Sequence, residues 1–319
     1  MCAASAQLPR VGDINFYGLR TLTAEQILAA ARIGSGDTVP ASRIDLEDRI
    51  VALPDVLDAH VQSVCCEGDR TTLFIGIHER GTPEPEFRAA PSGTATLTED
   101  LMTHYRKYSG GLLRAEINGN ADSLDPAMRR EEEYFRATAT THLLKLRAEL
   151  HNGGDAEQRA AAALMIGFSP SKKTAVDDLL YALQDPDETV RTNALRGLAA
   201  IAMVARRQPS LGIRIPPPEL VDLLNSVVLT DRVEATKALL VLTERPNASV
   251  IDQLRERALP ALAEMARWRA PSYAMPPFEL LGRVAGLPDA QVKEHWEKGD
   301  RDGVIQQALD TAPKKPGLQ

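Results

Sequence analysis

His151-Asn-Gly-Gly-Asp155-Ala-Glu-Gln-Arg159 leads into an Ala/Leu-rich run. Asp185-Pro-Asp187-Glu-Thr-Val-Arg191 then leads into a second run ending near Ala205. Superposing the two starts sets Asp187 on Asp155, Arg191 on Arg159, Ala194 on Ala162 and Leu198 on Ile166, an offset of 32 residues from Asp155 to Asp187. A period of that length is typical of stacked helix pairs. One such pair cannot cover its own apolar face, so its neighbours must stack against it to bury that face. The stretch therefore predicts a helical array that offers surface, without naming what binds there.

At 319 residues the chain has room for two domains, each with its own core. The formal net charge of −7 lacks the basic footprint of a nucleic-acid binder. No run of about 18 apolar residues is present, so no membrane-spanning helix is expected. Aromatic residues make up only 4% of the chain, which suits thin helical layers. Ala4-Ser5-Ala6 before Gln7 has the small-x-small pattern of a signal-peptidase site, although no basic and apolar regions precede it. Residues 1–10 are read as the remnant of an export signal and a disordered start. A flexible Ala/Ser-rich terminus is the alternative.

Residues 11–81 read as one compact unit. Ile14 and Phe16 alternate with polar neighbours as in a strand with one buried face, and Gly18 closes it. Thr23 and Gln26 form a capping box at the head of a helix that ends at Gly34-Ser35-Gly36. A second helix spans about 41–53 and stops at Pro54. Two β-prone runs follow, 59–66 and 71–79, joined by Glu67-Gly68-Asp69-Arg70. In the second, Leu73, Ile75 and Ile77 share one face while Thr72, Phe74 and His78 share the other.

The segments Ile14-x-Phe16-x-Gly18, Thr23-x-Glu25-x-Ile27, Gly36-Asp37, Leu53-Pro54-x-Val56-x-x-Ala59-x-Val61 and Leu73-x-Ile75-x-Ile77-x-Glu79 together resemble the polypeptide-transport-associated (POTRA) domain. The resemblance implies a β-α-α-β-β module in the periplasm that binds partners by adding a strand to its sheet edge. In that family the module usually precedes an outer-membrane barrel, or sits in division or secretion proteins. The segments that follow here read as helices instead, which argues against membrane insertion by this chain alone.

Residues 82–97, with Pro83, Pro85 and Pro91, read as a Pro-rich linker. Residues 98–312 read as helices and 313–319 as a frayed tail. Within them, a short segment from Thr98 is expected to end at Gly110-Gly111, and Asp125-Pro126 opens a longer helix. Asp185-Pro-Asp187-x-x-Val190-Arg191-x-x-Ala194-Leu195-x-Gly197-Leu198 resembles the first helix of a HEAT repeat. Ala175, Val176, Leu179, Leu180 and Leu183 lie on the preceding second helix. A weaker copy aligns Ala235 with Arg191 after the loop 208–218. Later helices, including one over 250–268, keep the helical period and lose the motif, as capping repeats do. The fold class expected is mainly α with a small α+β domain, a POTRA-like module followed by a HEAT-like right-handed α-solenoid.

No HExxH, P-loop, GxSxG or GxGxxG pattern occurs, and no cofactor or metal is expected. Cys65-Cys66 lie next to one another on a strand and point to opposite faces; they read as packed thiols, with an intermolecular bridge as the alternative. Asp187 and Arg191, at i and i+4, read as a structural link between turns or repeats. Trp268, Tyr273, Phe278 and Trp296 read as core or capping aromatics, with a sticky patch near the C-terminus as the alternative. The candidate partner-binding residues form two sets. Ala59, Val61, Ser63 and Val64 lie on a strand edge that offers unpaired N–H and C=O groups. Lys172, Lys173, Asp177, Asp178, Tyr181 and Gln184 avoid the apolar stripe of the second repeat helix. The reading that results is a non-enzymatic scaffold, periplasmic or secreted, that binds proteins of the cell envelope and no nucleic acid. Two alternatives remain: a HEAT-like lyase or its accessory, and a cytosolic adaptor.

Overall fold

The computed structural model describes residues 9–67, 70–117 and 126–313, without the side chains of 65–67 and 113–117. The expected signal remnant at Ala4–Ala6, the hairpin tip 68–69, the tail from 314 and the thiols of Cys65 and Cys66 lie outside the described residues. The chain runs β1 (Arg10–Tyr17), α1 (Ala24–Ala31), α2 (Ile44–Val51), β2 (Val56–Glu67) and β3 (Arg70–Glu79). Helices follow: α3 (Glu99–Ile117), α4 (Pro126–Thr141), α5 (Leu143–Asn152), α6 (Ala156–Gly167), α7 (Lys172–Ala182), α8 (Glu188–Arg207) and α9 (Pro218–Asp222). The last six are α10 (Leu229–Thr243), α11 (Ala248–Arg257), α12 (Leu259–Ala266), α13 (Pro271–Val284), α14 (Asp289–Glu297) and α15 (Arg301–Leu309). The protein is thus mainly helical, with a small N-terminal sheet, as expected. It forms two compact units.

The first unit contains the sheet, in the order β1-β3-β2, with β1 parallel and β2 antiparallel to the central β3. The strand–helix–helix–strand–strand order is the one read from periodicity. Thr23 accepts the Gln26 N–H while Gln26 accepts the Thr23 N–H at 2.8 Å, which completes the capping box. Gly18 turns the chain out of β1 at φ 80°, and a Cβ there would lie 2.0 Å from the Ile77 carbonyl oxygen, so only glycine fits. Glu79, at the end of β3, is buried and accepts the backbone N–H groups of Arg20, Thr21 and Leu22. Burial pushes its carboxyl up, and these hydrogen bonds outweigh that and hold it below the usual range. One sheet face packs Leu73, Ile75, Ile77 and Val61 against Ile27, Leu46 and Ile50 of the two short helices.

The opposite face is also covered. Phe74 is fully buried, its ring 5.0 Å from that of Trp268 and 5.0 Å from that of Tyr273. Trp268 donates to the Phe16 carbonyl at 3.3 Å and Tyr17 to the Val227 carbonyl at 2.9 Å. Glu264 accepts the Gly18 N–H at 3.0 Å and pairs with Arg20. The unit accordingly comprises residues 1–84, 225–229 and 255–319. This corrects the expected boundaries, under which 98–312 formed one helical domain. The aromatic on the second face of β3 needs cover, and the C-terminal helices supply it. The single helix expected over 250–268 is two, α11 and α12, broken at Ala258 just before Pro260, which has no N–H to continue the ladder.

The second unit comprises residues 85–224 and 230–254. Here α6, α7 and α8 stack as the repeat predicted. Gly197, a position in the repeat motif, is a point of close approach: a Cβ there would lie 2.9 Å from a Leu179 methyl on α7 and 3.4 Å from Gly167 at the end of α6. One expectation fails in this unit. Gly110-Gly111 does not end α3, which continues to Ile117. Gly111 instead admits Met128 of α4, whose Cγ would sit 3.1 Å from an added Cβ. Helix contact outweighs the propensity cost of two glycines.

Replacing Trp268 with alanine should cost about 3–5 kcal/mol, because it opens a cavity over Phe74 and removes the cover of the sheet. Urea unfolding followed by circular dichroism would show it as a lowered midpoint.

Candidate functional site

The helical unit is tied together by a ladder of arginines. Arg159, 2% exposed, donates from Nε and Nη2 to the two oxygens of Asp185 at 2.9 Å each, and from Nη1 to the carbonyls of Gly153 and Gly154. Arg191 repeats the geometry one step on. It donates to Asp231 at 2.7–3.1 Å and to the carbonyls of Asp185 and Pro186 at 2.8 and 2.9 Å. Each guanidinium thus closes the turn five and six residues before it and reaches a carboxylate of the following repeat, fully buried in each case. Asp185 beside Arg159 raises the arginine further above its usual range. The structural reading of Arg191 as a link between repeats holds, but its partner is Asp231. Asp187 instead caps α8, accepting the N–H groups of Thr189 and Val190 at 2.9 and 3.1 Å. At the next position in the alignment stands Ala235, which has no guanidinium to extend the ladder.

On α7, Lys173, Asp177 and Gln184 are exposed as expected. Lys172 is partly buried and donates to the Gly167 carbonyl at 3.0 Å; burial lowers its pKa. Asp178 is corrected: it is 1% exposed and its Oδ1 accepts from Arg147 and His151 of α5, at 3.0 Å each. The helix has a second packed flank, against α5, beside its apolar stripe, and Asp178 faces that flank. Tyr181 is stacked on the His151 ring at 4.0 Å and carries the Arg88 guanidinium 3.7 Å above its own ring. A similar clasp joins α3 and α4, where His104 stacks on Tyr134 at 3.7 Å and meets the buried Glu131. In both clasps the carboxylate lies 27 residues after the histidine, a spacing outside any tight metal-ligand pattern. Among the described residues, no group of three or more His, Cys, Asp or Glu side chains gathers to hold a metal.

Arg88 belongs to the stretch expected to be a Pro-rich linker. From residue 85 onward that stretch is part of the helical unit. The Arg88 N–H donates to the Gln184 carbonyl at 2.9 Å, and the guanidinium donates to Asp185 at 2.8 Å and to the Tyr181 carbonyl at 2.5 Å. Phe87 lies under the Arg191 guanidinium at 4.0 Å. Further along, the Gly154 N–H donates to the Gly93 carbonyl at 3.0 Å. Under this second anchor lies Glu149, 0% exposed, its two oxygens without a hydrogen-bond partner among the described residues. Burial, then the charge of Asp155, push its carboxyl up to about 7, against the pull of Arg159 and Lys145.

In the first unit the two outer strands differ. The outer edge of β1 is covered by backbone: Val11 N–H donates to Asp37, Gly36 N–H to Val11 and Val39 N–H to Pro9, all within 2.9 Å. Along β2 the cover comes from side chains. The Ala59 N–H donates to Asp58 at 2.8 Å, the Val61 N–H to Glu47 at 2.7 Å, and the Val61 carbonyl accepts from Arg43 at 3.4 Å. Ser63 is exposed and Val64 partly so. Ile44 and Val51 on α2, and Leu57 at the start of β2, are 65%, 39% and 44% exposed. The structure therefore places the first predicted set along an outer strand. It divides the second set between solvent and internal pairing. Sequence reasoning missed Arg88, Asp231 and Glu149. The 32-residue offset did equate Arg159 with Arg191, but nothing in it names their acceptors.

The family described as HEAT repeats matches residues 143–225, α5 to just beyond α9. A search of curated proteins finds no match. Among the described residues, no helix is long and apolar enough to cross a membrane.

Arg191→Ala should cost about 3–5 kcal/mol by removing a buried guanidinium from the buried Asp231, and Arg191→Met clearly less if Asp231→Leu accompanies it; denaturant midpoints compare the two. Glu149 gives a pH signature. The folded chain keeps its proton up to about pH 7 while the unfolded chain releases it near 4.5, so stability falls as pH rises through that window. Glu149→Gln should raise the melting temperature by roughly 5 °C at pH 8 and leave it unchanged at pH 4.

Proposed function

We propose that the protein is a non-enzymatic interaction scaffold of the cell envelope, periplasmic or secreted, which takes a partner's strand along β2 and a second protein on its helical surface. The match to HEAT repeats supports the scaffold reading, since such arrays commonly serve as protein-interaction surfaces. The envelope setting rests on the resemblance of residues 11–81 to POTRA domains.

The observation that carries the edge reading is the way β2 is finished. Its outward N–H and C=O groups at Val61 are met by Glu47 and Arg43, two side chains that can swing away, and among the described residues by no strand. An incoming strand replaces those bonds with ladder bonds at no net loss of hydrogen bonding. Ile44, Val51 and Leu57 give its side chains apolar ground. Two ordinary outer-strand protections, a proline or a lysine on the strand, are absent from 56–64.

The experiment is capture from envelope extracts with the full chain and with Val61→Pro, which removes the outward donor. With the circular dichroism of the two chains alike, the captured partner should be lost from the variant. Hydrogen exchange on the wild-type complex should slow at Ala59, Val61 and Ser63. Equal capture by both chains, with no slowing along β2, would exclude strand addition.

A further inference from the structure

The segment expected to be a linker is held as a ligand would be. Arg88 is recognised through both terminal nitrogens and the flat face of its guanidinium. Its guanidinium pairs with the fully buried Asp185 at 2.8 Å, donates to the Tyr181 carbonyl, and lies 3.7 Å over the Tyr181 ring. Its backbone N–H meets the Gln184 carbonyl at 2.9 Å. The neighbouring Phe87 ring receives the guanidinium of Arg191 at 4.0 Å. A buried carboxylate, an aromatic face and an outward carbonyl converge on one arginine, and a cation meets the adjacent aromatic.

The flanks are held, Gly93 by the Gly154 N–H and Glu84 by the Val227 N–H, but the stretch between them buries little apolar surface. None of residues 85–96 is buried, and the first buried side chain is Leu97. No strand or helix is formed over 83–92, and the Arg88 Nε has no hydrogen-bond partner among the described residues. Segments with few buried apolar contacts open at low free energy. Pro83, Pro85 and Pro91 fix their own φ and restrict the residues before them, so a released segment, or a similar one on another protein, has less conformational entropy to lose.

We propose that the ridge formed by Tyr181, Gln184, Asp185 and Arg191 is a docking site for an extended segment of a partner protein carrying an aromatic–arginine pair, and that residues 85–92 occupy it as an internal ligand. The occupant of the site shows the chemistry of the partner. An extended chain places an aromatic beside an arginine, the arginine enters between Tyr181 and Asp185, and the aromatic lies against Arg191. The tether keeps the internal copy at millimolar effective concentration, so the site answers to a partner only when the strap lifts. This rests on the helical body being a binding surface and does not depend on β2. Loss of strand addition through Val61→Pro leaves it untouched, and Tyr181→Ala leaves strand addition untouched.

The test is fluorescence anisotropy of a labelled peptide of residues 83–92 against the full chain. An Arg88→Ala chain, with its strap unlatched, should bind the peptide at least about tenfold more tightly than wild type. Adding Tyr181→Ala to that chain should abolish the gain, and a peptide with alanines at its Phe-Arg pair should bind neither chain. Equal binding by wild type and Arg88→Ala overturns the proposal, as does equal binding of the two peptides. An Arg88→Ala chain that fails to fold overturns it too, because a strap that must lift to admit a partner cannot be required for folding.

Discussion

A buried guanidinium reaching from one helix pair to a carboxylate on the next holds the array in register. Arg159 and Arg191 are each 2% or less exposed and each bound by carbonyls as well as a carboxylate, so the cost of desolvating the charge is met by nearly complete hydrogen bonding. The planar fork fixes distance and rotation together, which a methylene contact between helices does not. Between the ladder's rungs the alanines of α6 and the glycines at 167 and 197 bring the helices close enough for the fork to reach. Small residues and long charged ones therefore work as a pair, the first setting the spacing and the second the register.

The repeat itself was legible because it is local. Asp155 and Asp187, Arg159 and Arg191 recur at a fixed offset, and the helical period around them is strong. The acceptors were not legible, for a geometric reason. Asp185 precedes its helix while Asp231 lies within the first turn of α10, and the long loop after α8 shifts the register between them. Asp178 shows the same limit on a smaller scale. Period alone marks one apolar stripe on α7, whereas a helix inside a stack has neighbours on several sides, and a polar residue can be fully buried against one of them.

The sheet was read correctly in order and incompletely in surroundings. Alternation along β3 announced two faces, but Phe74 shares the second with Thr72 and His78, and that mixture did not announce a buried face. What covers it is Trp268, nearly two hundred residues away, and no local pattern can name so distant a neighbour. The strap is a similar case. Prolines mark residues 83–91 as a connector without helix or strand, but that does not distinguish a tether from a docked segment. Only the acceptors for Arg88, drawn from α7 and its following turn, make that distinction.

Each rung of the ladder brings its own arginine and ends on its own acceptor, and the turn it closes always lies five and six residues upstream. The segment from Asp155 to Pro186 is in this sense self-matching: its tail is built to receive the head of another copy. A gene duplication of that stretch would insert a module whose two ends fit its neighbours without further change, so the array could lengthen in whole steps toward the amino-terminal side. In the other direction the position aligned with Arg191 is Ala235, so the same step is not repeated there.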